Sequence, residues 1–142
     1  KAQMFEGLIE FIEQSVFTLA NQLIEREPQG AAQAQKIVAM VLQFGEKNPG
    51  MARVMVGDAL VFENERLIAR MNQFFDRLES QLRQSLRAHA DGAGSQSPTV
   101  DAQAAASLAV SFVLGRLQRF ARSGFKRLPT EYLDVALRQL VV

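Results

Sequence analysis

The stretch M-F-E-G-L-I-E-F-I-E-Q-S-V-F-T-L-A-N-Q-L-I-E-R (residues 4–26) carries Met4, Phe5, Leu8, Ile9, Ile12, Val16, Leu19, Ala20 and Leu23 at three- and four-residue spacing. That spacing sets them on one stripe of an amphipathic α-helix, since a strand would alternate every two residues. The helix is expected over about 3–26. Glu27-Pro28-Gln29-Gly30 ends it, because proline removes a donor and disfavours helix at the residue before it.

The same period continues downstream. A second helix over about 31–47 carries Ala34, Ile37, Val38, Val41 and Phe44 on its core stripe. Asn48-Pro49-Gly50 reads as a turn, with a short helix following at 51–56. A third helix is expected from Asp58, an N-cap type, to about Ala90, with Leu60, Leu67, Met71, Phe74, Phe75, Leu78, Leu82 and Leu86 facing the core. At 1.5 Å per residue it would be roughly 48 Å long. D-G-A-G-S-Q-S-P (91–98) has the composition of a flexible surface loop. A fourth helix, about 100–123, opens with Ala102, Ala104, Ala105, Ala106 and Ala109, continues through Phe112, Val113, Leu117 and Phe120, and is closed by Gly124 and Pro129. A fifth is expected from Thr130, as N-cap, to the end of the chain. No strand pattern or internal repeat occurs. The expected fold is all-α: one domain over residues 1–142, with five main helices and one short one.

Composition narrows the function classes. At 142 residues the chain fits one domain better than two. Apolar residues at 48% and charged residues at 22% lie in the globular range, which argues against disorder. Sixteen basic and fifteen acidic residues give a net charge of +1, so no basic excess marks a nucleic-acid binder. Without Cys there is neither a disulfide nor a thiolate metal site. The longest apolar runs, such as 37–42, fall short of the ~20 residues a membrane span needs, and no signal-peptide pattern opens the chain. The expectation is a soluble cytoplasmic protein with no membrane association. The sequence begins at Lys1, without Met, and enters a helix pattern almost at once. A fragment, with a further domain ahead of it, is therefore expected.

The inventory also argues against catalysis, metal and cofactor. His89 is the only histidine, and Leu86 three residues before it breaks the Glu-x-x-His spacing of helical di-metal sites. A solvated surface histidine is expected there. No Ser occupies a nucleophile elbow, and no Gly-rich phosphate loop follows a strand. Glu6, Glu10 and Glu13 share a helix face, which reads as a solvated row or a cation site. Arg116, Arg119, Arg122 and Lys126, with Arg127, form a basic stripe: either a rim around an interface or a phosphate contact. The run of alanines in the fourth helix lets two helix axes approach closely, within the chain or across a two-fold dimer.

Two side chains stand apart from these stripes. Phe11 lies about 120° from the centre of the first stripe, among Gly7, Ser15, Thr18 and Gln22. Met40 leaves the second stripe in the same way, beside Lys36, Gln43 and Lys47. An aromatic, a Met and two lysines on neighbouring faces suit an amphipathic, partly acidic peptide; the alternative is a cover from another helix of the chain.

M-F-E-G-L-I-E-F-I-E-Q-S (4–15), F-G-E-K-N-P-G (44–50) and G-R-L-Q-R-F-A-R-S-G-F-K-R-L-P-T (115–130) resemble the C-terminal domain of nucleoid-occlusion members of the TetR-type regulators. The resemblance covers nearly the whole chain, and R-F-x-R-S-x-F-K-x-x-P-T is its specific part. It implies a TetR-type regulatory bundle, a helix-turn-helix DNA-binding domain directly before Lys1, and a homodimer formed through the last two long helices. The corresponding interface residues are Ala105, Ala109, Phe112, Leu117, Leu133 and Leu137. It further implies association with the nucleoid through that missing DNA-binding domain, and capture of the C-terminal tail of the division protein FtsZ, which antagonises ring assembly there. The tail-contacting positions carry over to Phe11, Met40, Gln43, Lys47 and Asn48. This chain departs from the family's examples at Leu19 and Lys47, where they can carry Arg, and at Gln43, where they can carry Gly. Lys cannot reproduce arginine's bidentate fork. Two other readings compete: a TetR-type repressor sensing a small molecule in a cavity between helices, and a stand-alone helical adaptor.

Overall fold

The computed structural model describes residues 2–60 and 65–141. Among the described residues every regular element is helical. Pro28 and its neighbours separate α1 (Ala2–Arg26) from α2 (Gly30–Lys47), which folds back along it. Pro49 opens α3 (Pro49–Met55), a 3-10 turn follows at Asp58–Leu60, and α4 (Glu65–Gly92), α5 (Pro98–Arg122) and α6 (Leu133–Leu140) complete the order.

Three boundaries differ from expectation. Asn48-Pro49-Gly50 is barely a turn, because Pro49 sits at the first helical position, where its fixed φ is favourable and its missing N–H would have no partner. The long helix does not run unbroken from Asp58: Asp58 opens the 3-10 turn and accepts from Arg53 Nε at 3.3 Å, while 61–64 lie outside the described residues. As described, α4 has 28 residues, about 42 Å of helix. The last helix is short rather than long. Tyr132, in the left-handed region at φ 53°, takes the cap position expected of Thr130, and α6 has only eight residues. The Thr130 hydroxyl instead donates to the Glu46 carboxylate at the end of α2. Of the eight residues read as a loop, five (93–97) lie outside helices, and Ser95 and Ser97 both donate to Asp101.

The core forms where α4 lies against α5, α2 and α1. Ile9, Ile12, Ile37, Leu42, Leu78, Leu82 and Leu117 are among the fully buried side chains, and Phe74 stacks between Phe17 at 5.2 Å and Phe75 at 5.0 Å. Burial of such side chains stabilises by about 1.5–3 kcal/mol each. Gly30 lets α2 begin hard against α4: a Cβ there would overlap the Ser85 carbonyl oxygen. Ser85, buried, donates to Gln33 Oε1 at 2.8 Å, and Gln33 Nε2 donates to the Glu27 carbonyl at 2.6 Å, closing the α1–α2 turn over α4.

The carboxylate row of α1 is not simply solvated. Glu6 pairs with Arg66, and Glu13 with Arg70 at 2.7 Å, lacing α1 to α4; the hydrogen bond to Glu13 raises Arg70's pKa from its ordinary value. Such surface pairs contribute about 0–1 kcal/mol each, so they align the helices more than they hold them. His89 is half-buried, lining an open cleft of about 270 Å³ with Leu86, Asp101 and Leu140, rather than fully solvated.

Candidate functional site

A three-residue turn joins α1 to α2, so residues early in α1 meet residues late in α2. Phe11 and Phe44 are the marker: their ring centroids lie 6.2 Å apart, and Phe11 is still 50% exposed. Phe11 therefore stands at the rim of a groove between the two helices, supported from one side and open on the other. Farther along, Met40 and Gln43 line a cleft of about 350 Å³ together with Leu19, Leu23 and Ala39. The structure thus brings Met40 and Gln43 to one cleft, and sets Phe11 against Phe44 on the same pair of helices.

Lys47 and Asn48 stand at the end of α2 with different roles. Lys47 is exposed on the last turn of α2. Asn48 is half-buried; its side-chain amide donates to the Phe44 carbonyl at 2.8 Å, and its backbone N–H to the Phe44 and Gly45 carbonyls. Asn48 closes the helix end and so fixes where Lys47 stands.

Leu19 was assigned by spacing to the core stripe, yet it is 41% exposed and lines the groove. It sits at the stripe's edge, where periodicity does not tell core from rim. Phe17 shows the converse: off the stripe, it is buried against Phe74 beneath the Arg77 guanidinium, 3.9 Å from the ring centroid.

α5 and α6 carry the residues expected at a two-fold interface. Leu117 has no exposed surface, and its side chain packs so tightly on Gly45 that a Cβ there would overlap it. Ala109 and Leu137 are likewise buried within the chain. These three pack the protein's own core and have little or no surface left for a second copy. Ala105, Phe112 and Leu133 are only partly covered. The apolar side chains left outside are Val100, Leu108, Leu128, Tyr132 and Val135, with Leu108 58% and Tyr132 80% exposed. By length and composition α5 would also suit a bilayer, but its buried face, including Ala102, Ala106 and Val113, belongs to the core.

The basic stripe is largely consumed inside the chain. Glu131 pairs with Arg119 at 2.8 Å and with Arg127 at 2.7 Å. Arg116 donates to the Pro129 and Glu131 carbonyls and lies 4.7 Å from the Phe112 ring centroid. The hydrogen bond from Arg127 holds the Glu131 carboxyl below its ordinary value, whereas burial, then the nearby Arg119, draws the Arg116 guanidinium below its own. The cluster clamps the α5–α6 connection. Among the described residues no group of three or more His, Asp or Glu is placed to hold a metal ion.

Comparison with known proteins agrees with this architecture. Residues 29–141 match the family model described as SlmA-like, tetracyclin repressor-like, C-terminal domain. The chain is 45% identical to the nucleoid occlusion factor SlmA of Vibrio atlanticus over 94% of its own length and 68% of that protein. It is 42% identical to that of Alteromonas mediterranea over 100% of its length and 74% of the relative. For Aliivibrio fischeri the figures are 47%, 92% and 66%. With a helical bundle of the expected kind and a match of this extent, the chain belongs to the SlmA-like family of tetracyclin repressor-like C-terminal domains.

Proposed function

We propose that the protein is a nucleoid occlusion factor, in which this region forms the homodimer and captures the C-terminal tail of FtsZ while a helix-turn-helix domain ahead of Lys1 reads DNA. The observation that carries the reading is the α1–α2 groove. Phe11, Met40 and Leu19 expose apolar surface along it, and Lys47 stands at its end. An aromatic rim, a flexible Met and a free cation are the parts that hold an amphipathic acidic peptide. Phe11, Met40, Gln43 and Lys47 are the contacting residues in this proposal, with Asn48 holding the helix end beneath them. The relatives' shared identity as nucleoid occlusion factors supports this regulator over a small-molecule sensor. Homodimerisation uses the outer face of α5 and α6, with Leu108 and Val135 beside Ala105, Phe112 and Leu133, since a two-fold pairing buries these apolar groups on both copies at once.

Binding of an FtsZ tail peptide to the full-length dimer tests the groove. Phe11→Ala and Lys47→Glu should each weaken binding about tenfold or more, a difference of about 1.4 kcal/mol. Equal binding by all three proteins would remove the assignment. Sedimentation of residues 1–142 alone at micromolar concentration should give a mass near twice 15.8 kDa, and a monomer would remove the dimer.

A further inference from the structure

We propose that Thr130 sets the charge of the peptide groove from outside it: its hydrogen bond holds the Glu46 carboxylate against the α5–α6 connection, which keeps the neighbouring Lys47 available to an acidic peptide. The inference rests on the peptide-groove reading and deepens it.

Glu46 and Lys47 are consecutive on the last turn of α2, about 100° apart around its axis. Consecutive helix positions do not face each other squarely, yet a carboxylate released to solvent at this distance still offsets part of a lysine's charge. No ion pair among the described ones includes either residue. Instead the Thr130 hydroxyl donates to the Glu46 carboxylate at 2.5 Å, joining half-buried groups eighty-four residues apart in sequence. A hydroxyl is a neutral donor. It fixes the carboxylate without bringing in a second cation that would compete with Lys47 for the peptide.

The connection is shaped to present that hydroxyl. Arg116 donates to the carbonyls on either side of Thr130, those of Pro129 and Glu131. Arg119 and Arg127 both pair with the Glu131 carboxylate, and the Leu133 N–H donates to the Thr130 carbonyl at 3.2 Å. From the other side, Gly45 lets the last turn of α2 lie hard against Leu117, which brings Glu46 within reach. A single helical turn therefore serves two surfaces. Phe44 and Lys47 belong to the groove, with the Phe44 ring centroid 6.2 Å from that of Phe11, while Gly45 and Glu46 meet α5 and the connection after it. Thr130 is thus a positioning residue that acts on Lys47 through Glu46.

Anisotropy of a labelled FtsZ tail peptide on full-length dimer tests charge separately from shape. Thr130→Val, which removes the donor at nearly constant volume, should weaken binding about threefold at low salt, the size of an exposed charge effect, and the difference should shrink as salt is raised. Glu46→Asp, one methylene too short to keep the bond, should weaken it to the same extent. The double variant Thr130→Val, Glu46→Gln should regain parental affinity, because no carboxylate is left to be released. A double variant as weak as Thr130→Val would mean that the contact only packs the helix end, and would overturn the proposal. Parental binding by both Thr130→Val and Glu46→Asp, with Phe11→Ala weakened, also overturns it and leaves the groove standing. If Phe11→Ala binds normally as well, the groove reading itself fails.

Discussion

The α1–α2 groove and the α5–α6 connection both place cations at helical spacing beside aromatic rings, yet they end in opposite states. At α5–α6, Glu131 binds Arg119 and Arg127, and backbone carbonyls take Arg116. In the groove, Lys47 and Arg26 are left facing solvent next to exposed apolar side chains. A lysine or arginine reads the same in either place. What separates a clamp from a docking surface is whether a carboxylate from elsewhere in the chain arrives to meet it. The first region holds the fold, and the second is the surface proposed above for a partner.

The comparison can be broken most forcefully at Leu117. Because it is a core residue, Leu117→Ala should cost about 2–5 kcal/mol in denaturant unfolding. Leu108→Ala, on the outer face, should leave monomer stability within about 0.5 kcal/mol and weaken association instead. Equal stability losses would return Leu117 to the interface. Gly30→Ala comes next: its Cβ would press on the Ser85 carbonyl, and the displacement of α2 from α4 should cost about 1–3 kcal/mol in the same measurement. Phe11→Ala, half exposed, should affect folding far less while lowering peptide affinity about tenfold or more.

The smallest effect expected is at Glu131. Its carboxyl titrates below the ordinary 4.5 in the folded chain, chiefly through the hydrogen bond from Arg127. The clamp's contribution is thus complete above about pH 4.5 and fades as pH falls through the lower folded value. Thermal melts of Glu131→Gln should show a slightly weaker loss of stability on acidification than the parent. An identical acid dependence would show that the clamp does not report on this carboxyl.

Much of the groove was legible beforehand because Phe11 and Met40 break the apolar periodicity of their own helices, a contradiction visible within one element. The exposure of Leu19 was hidden for the opposite reason. Leu19 obeys the period, and only the position of α2 shows that its edge of the stripe is uncovered. Leu117 and Ala109, expected at the two-fold interface, are buried within this chain, and small and apolar residues suit a neighbouring helix of either chain. Thr130 looked like a helix cap by residue type, but Glu46, eighty-four residues away in sequence, captures its hydroxyl.

The sequence by itself determined that the chain forms amphipathic helices, roughly where they break, and which side chains disagree with their own helix. Those properties depend on neighbours three or four residues away. Only the tertiary structure decided which cations are neutralised, which apolar edges stay exposed, and how short the last helix is. Each of these turns on a partner distant in sequence, and a helical period carries no information about what packs across from it.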